Sequence, residues 1–147
     1  RTARPHDAVE GFVPDLAGMH DVDDYPSAAT VPGLLVYRYD SPLFFANADN
    51  FRNRARRAVD ANRPVRGFVL NAQANVEVDI TALGALEALR SDLERKGIRF
   101  GLARAKTELL ADLRAYGFIK KIGDDMVFPT LPTAVEAYRT WTEDHPD

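Results

Sequence analysis

The sequence contains no cysteine. That excludes disulfides, thiol catalysis and cysteine-ligated metals, and it fits a cytosolic setting. No apolar run approaches the roughly 18–20 residues needed to cross a bilayer. The opening residues are polar and include Pro5, His6 and Asp7, unlike a secretory leader. Neither sign of charge dominates. Lys and Arg number 19 against 22 Asp and Glu, a net charge of -3, so no nucleic-acid partner is expected. No methionine stands at the start, where Arg1 is found, and the expectation is a processed or excised piece of something longer.

Familiar site motifs are missing as well. No GxxxxGK followed by Ser or Thr occurs, and no GxGxxG follows a strand, so the common phosphate-cradling turns receive no support. His6, His20 and His145 fall in the expected terminal regions, without metal-ligand spacing or a neighbouring nucleophile. The cluster Asp21, Asp23 and Asp24 lacks the glycine and closing glutamate of a calcium loop. A phosphoreceiver reading fails because the central strand ends in Asn71 instead of Asp, and because the acidic cluster precedes every expected strand. No metal, no cofactor and no catalytic residue is expected.

What remains is a globular α/β pattern. The 147 residues are 46% hydrophobic and 28% charged, enough to bury one core. Residues 1–30 lack a period and are broken by Pro5, Gly11, Pro14, Gly18 and Pro26, so an irregular lead-in is expected. Leu34 to Tyr39 reads as a strand, and Leu43 to Phe45 as a short second strand after the turn at Asp40-Ser41-Pro42. So short a connection predicts an antiparallel pair. Asn47 or Asp49 caps a helix bearing Phe51, Ala55 and Val59 on one face, which ends near Asn62. Val65 to Ala72 reads as a central strand buried on both faces, since it does not alternate. Asp79 or Thr81 then caps a helix with Leu83, Leu86, Leu89 and Leu93 inward. Ile98 to Ala103 is a strand, Leu109 to Tyr116 lies on a helix, Met126 to Phe128 is a last short strand, and Thr130 to Trp141 is a terminal helix. Alternation from the third strand onward predicts a mixed, mostly parallel sheet flanked by helices.

Three polar constellations merit weight. The first is the loop joining the central strand to its helix, with Asn71, Gln73, Asn75, Asp79 and Thr81. Ligands collect at such carboxyl ends, beside a helix N-terminus. The second is Arg104 with Lys106 at the end of the following strand, a plausible anion contact. The third is the arginine-rich helix, whose Arg52, Arg56 and Arg57 are candidates for contact with acidic lipids or an acidic partner.

Several stretches resemble one family. Tyr25-Pro26, the run Val31-Pro32-Gly33-Leu34-Leu35-Val36-Tyr37-Arg38-Tyr39, and Pro42-Leu43-Phe44-Phe45-Ala46-Asn47-Ala48 with Phe51 resemble the STAS domain of SulP-type sulfate permeases. The resemblance covers nearly the whole chain. It implies a single-domain STAS fold over residues 31–147, with residues 1–30 as a linker from a preceding membrane domain. It implies a non-enzymatic regulatory or interaction module at the cytoplasmic face of the cell membrane, serving a sulfate or anion transporter. The expected partners are that transporter's transmembrane domain, a protein partner, and a guanine nucleotide (GTP or GDP). Asn71, Asp79, Ile80, Thr81, Arg104 and Lys106 would form the regulatory loop and nucleotide site. The alternative is a stand-alone anti-sigma factor antagonist acting by partner switching. Val78-Asp79-Ile80-Thr81 matches the family's Asp-led loop, yet antagonists place a phosphorylatable Ser or Thr directly after that Asp. Ile80 stands there and cannot accept phosphate, which leaves Thr81 as the phosphorylation candidate.

Overall fold

The computed structural model describes residues 6–147. The part of the expected lead-in that falls on residues 1–5 lies outside them. Among these residues six strands form one sheet: β1 (Asp7–Phe12), β2 (Met19–Asp21), β3 (Leu34–Tyr39), β4 (Gly67–Asn71), β5 (Arg99–Ala103) and β6 (Val127–Phe128). Their order is β2-β1-β3-β4-β5-β6. The pairs from β3 to β6 are parallel, and β1 runs antiparallel to both β2 and β3.

Among the described residues five α-helices accompany the sheet: α1 (Ala48–Ala61), α2 (Ile80–Arg95), α3 (Thr107–Ala115), α4 (Phe118–Ile122) and α5 (Leu131–Asp144). Helices α1 to α4 contribute Phe51, Leu86, Leu89, Leu113 and Phe118 to the larger core, on the sheet face that presents Tyr37, Tyr39, Phe68, Leu70 and Phe100. An aromatic ladder crosses this face. Phe68 stacks on Phe100 at 5.6 Å, Tyr37 lies 5.7 Å from Phe68, and Phe118 meets Phe100 edge-on at 5.7 Å. Helix α5 covers the other face, packing Leu131, Ala134, Val135 and Tyr138 against Leu34, Val36, Val69 and Ala103. Gly67 permits that approach, because a Cβ there would lie 2.8 Å from the Tyr138 ring.

Two expectations give way here. The lead-in is not irregular over β1 and β2, and the antiparallel neighbour of β3 is β1, with Asp7 opposite Tyr39 and Glu10 opposite Val36. Leu43 to Phe45 is not a strand. Pro42 offers no N–H, Leu43 makes a single parallel bridge to Val78, and Phe45–Asn47 coils into a 3-10 turn that leads into α1. Smaller corrections concern two side chains. Asn47 occupies the cap position of α1 without capping it. Its amide nitrogen donates instead to Ser41 Oγ at 2.8 Å and to the Pro42 carbonyl at 2.9 Å. Tyr116, expected on the helix, lies just past the end of α3 and is exposed.

Candidate functional site

The carboxyl ends of β3, β4 and β5 lie side by side, because Arg38, Asn71 and Ala103 are in register. The segments leaving these three strands therefore share one edge of the sheet. Asp79 links two of these segments. Its backbone is extended, at φ -94 and ψ 172, and Oδ1 accepts from the Ala82 N–H at 2.8 Å. That is the N-cap bond which sequence reasoning places at Asp79 or Thr81, and the structure gives it to Asp79. Oδ2 accepts from the Phe45 N–H at 2.7 Å. One carboxylate thus ties the start of α2 to the segment between β3 and α1. Backbone bonds reinforce the tie, since Leu43 donates to Glu77 at 3.1 Å and Asp79 donates to Leu43 at 3.0 Å.

With both oxygens engaged, Asp79 acts as a clamp. The residues beside it present apolar surface: Phe45 is 75% exposed and Ile80 is 70% exposed, with Phe44 and Val76 also open to solvent. Thr81, the second residue of α2, is exposed. A phosphoryl group there would be favoured by the helix dipole and opposed by the Asp79 carboxylate next to it.

Asn71 faces the interior instead of the loop. It is buried, its amide donates to Glu10 Oε1 at 2.8 Å, and its Oδ1 accepts from the Gln73 N–H at 3.2 Å. Glu10, itself buried, also accepts from Arg38 at 3.2 Å, and Arg38 reaches Asp40 at 2.7 Å. Burial of Arg38 disfavours its charge, but Asp40 and Glu10 outweigh that and raise its pKa. Asn71 therefore belongs to a network that joins β4, β1 and β3. Asn75 is equally buried and donates to the carbonyls of Tyr39 at 2.8 Å and Ser41 at 2.5 Å. It pins the loop onto the end of β3.

Arg104 and Lys106 flank the start of α3. Arg104 adopts a left-handed φ of 60, and its N–H donates to the Phe128 carbonyl at 3.1 Å. Lys106 holds the N-cap position without a side-chain bond. Both side chains are exposed, on the same sheet edge as Asp79 but one strand over. The larger clefts lie at the opposite edge. One of about 430 Å³ is lined by Arg90, Glu94, Arg99 and Lys121, and one of about 700 Å³ by Pro32, Arg66, Tyr138 and Arg139.

The arginine face of α1 is partly spent on internal pairs. Arg56 is bonded to Asp92 of α2. The Arg52 Nε is buried, and Arg57 is exposed. Arg54 forms a two-pronged contact with Asp7 of β1, at 2.7 and 3.2 Å. Sequence reasoning missed the Phe45–Asp79 clamp and the Glu10 network. Each depends on pairing between segments 28 to 61 positions apart, for which a single sequence carries no signal.

A family model for the STAS domain matches residues 25–134. The chain belongs to the STAS domain family. This STAS domain is 60% identical over 140 residues to a probable sulfate transporter of Mycobacterium tuberculosis (strain ATCC 25618 / H37Rv), a match spanning 95% of the chain and 25% of that transporter. The domain thus accounts for about a quarter of that relative's length. Its fold resembles part of the murine anion transporter Solute Carrier 26 family member A9, with a TM-score of 0.82, 23% identity, and coverage of 92% of this chain and 22% of that one. It also resembles the SulP transporter STAS domain of Vibrio cholerae, with a TM-score of 0.67, 23% identity, and coverage of 84% and 94%. No helix among the described residues is long and apolar enough to cross a membrane.

Proposed function

We propose that this STAS domain is a non-enzymatic regulatory and docking module of a sulfate or anion permease, held at the cytoplasmic face of the membrane by the rest of the transporter. The observation that carries the reading is the 60% identity, sustained over 95% of the chain, to a probable sulfate transporter. The local chemistry agrees with it. Asp79 and Asn71 are consumed by structural hydrogen bonds, and a committed carboxylate is poorly suited to acid–base work. Sulfate uptake tests the reading, in cells expressing the whole transporter and a version lacking these 147 residues. Uptake that changes at equal surface abundance is the expected result. Unchanged uptake, or a parent gene without several long apolar segments, overturns it.

Guanine-nucleotide sensing is a second reading, favoured by the exposed side chains of Arg104 and Lys106 at the start of α3. Helix N–H groups together with cations suit a phosphate chain. Titration with GTP and GDP should give saturable amide shifts centred on residues 104–108 and 79–81, and scattered or unsaturable shifts remove the site. Partner switching of the anti-sigma type ranks behind both, because Ile80 carries no hydroxyl.

A further inference from the structure

The seam between α1 and α2 carries more arginine than acid. Arg56 of α1 is bonded to Asp92 of α2, and the same carboxylate is bonded to Arg95. Arg52 lies one turn before Arg56 on the same face of α1. Among the described residues it makes no ion pair, and its buried Nε has no hydrogen-bond partner. Three guanidinium groups thus share one carboxylate, which leaves two positive charges in excess. We propose that Arg52, Arg56 and Arg95 form a binding site for a divalent tetrahedral oxyanion at the seam between α1 and α2. The proposal does not depend on the transporter reading.

The ligand class follows from charge and from donor geometry. Burial lowers the Arg56 pKa, and the charges of Arg52 and Arg95 beside it lower it further. Like charges held together in this way favour an added anion, because it relieves all three at once. Asp92 already serves two of them, so the half-buried Arg52 guanidinium gives up water without gaining an acceptor. Two excess charges select a divalent anion over a monovalent one. Guanidinium groups carry only donors, in a planar fork that fits the oxygens of phosphate-like groups. The Arg95 side chain is 68% exposed, which leaves the cluster open to solvent on the α2 side. The acids Asp60 and Glu94 are exposed on the same two helices. That mixed surroundings suits a discrete small anion, whereas an anionic bilayer selects a broad cationic face.

The test titrates the 147-residue chain with sodium sulfate and with sodium phosphate, against sodium chloride at equal ionic strength. Backbone amides and arginine Nε–H signals are followed by NMR. The expected outcome is saturable shifts at the Nε–H groups of Arg52, Arg56 and Arg95 with either oxyanion, and no saturation with chloride. Arg52→Gln should weaken sulfate binding roughly tenfold or more. Arg95→Gln alters a mostly exposed side chain and should weaken it too, with the melting temperature unchanged. Arg57→Gln, at an exposed cation of α1 outside the cluster, should leave the affinity as it was. Asp92→Asn removes the competing carboxylate and should tighten binding. Vesicles of phosphatidylcholine with phosphatidic acid present the same chemistry as a lipid headgroup. Binding to these vesicles alone overturns the proposal. So do chloride shifts equal to those of sulfate, an equal loss in Arg57→Gln, or shifts centred on residues 104–108.

Discussion

Asp79 shows how much one side chain can organise. Its two oxygens satisfy donors on two elements, Ala82 on α2 and Phe45 before α1. Asp79→Ala leaves both N–H groups without these partners and is expected to cost about 1–3 kcal/mol, read as a lower denaturation midpoint. Asp79→Asn keeps an acceptor for one of them and should lose less. The capping role was legible in sequence, because an Asp before an apolar helical run is a local signal. The second bond was not, because Phe45 lies 34 positions away. Asn71 illustrates the converse. Its position at the end of a central strand suggested a site, but its burial against Glu10 makes it a structural tie. For Ile80 and Thr81 the local sequence carried the chemistry: one position has no hydroxyl, and the other places its hydroxyl in the first turn of α2.

At the scale of elements, β1 is the most informative departure. It sits inside the sheet, between β2 and β3. Its inward positions include Ala8 and Glu10, a small residue and a charge, so the alternation that betrays a half-buried strand is absent. Asp7 binds β1 to the helical layer through Arg54 of α1 and the hydroxyl of Tyr37. Burial pushes the Asp7 pKa up, but the hydrogen bonds from Arg54 and Tyr37 outweigh it, and the net shift is downward. A carboxylate depressed in the folded state lends stability above its ordinary pKa and loses it as pH falls through the folded value. Stability should therefore decline as pH falls from about 5 toward 3. Asp7→Asn should be less stable at pH 7 and show a shallower acid decline, checked by denaturant midpoints across that range. From β4 onward the central strands were legible as short apolar runs, and the longer helices by their apolar periods. Helix α4 has only five residues, too few for a period to register.

Across the whole molecule, the two sheet faces differ in how they are closed. The face under α1 and α2 holds the continuous aromatic ladder, in which Phe68 is fully buried and touches both Tyr37 and Phe100. Phe68→Ala should cost about 3–5 kcal/mol and lower the melting temperature of the whole domain in a single transition. Two separate transitions would contradict a single cooperative core. The other face is closed by α5, whose Tyr138 hydroxyl donates to the Pro32 carbonyl at 3.0 Å. Trp141 extends that closure, with the guanidinium groups of Arg66 and Arg99 over its ring at 4.7 and 4.9 Å. The larger clefts and this closure occupy the amino edge, and the clamped loops occupy the carboxyl edge. This difference between the two edges follows from strand order, which composition and local period do not reveal.

The interior position of β1 has a mechanical meaning. Force applied at His6 along the axis of β1 would load in shear the ladders that join that strand to β2 and β3. A strand held this way resists in shear, with many hydrogen bonds strained together, instead of peeling away one bond at a time. The Asp7–Arg54 contact sits at the loaded end and carries the pull across into α1. A displacement arriving by that route would therefore reach the helical layer as well as the sheet.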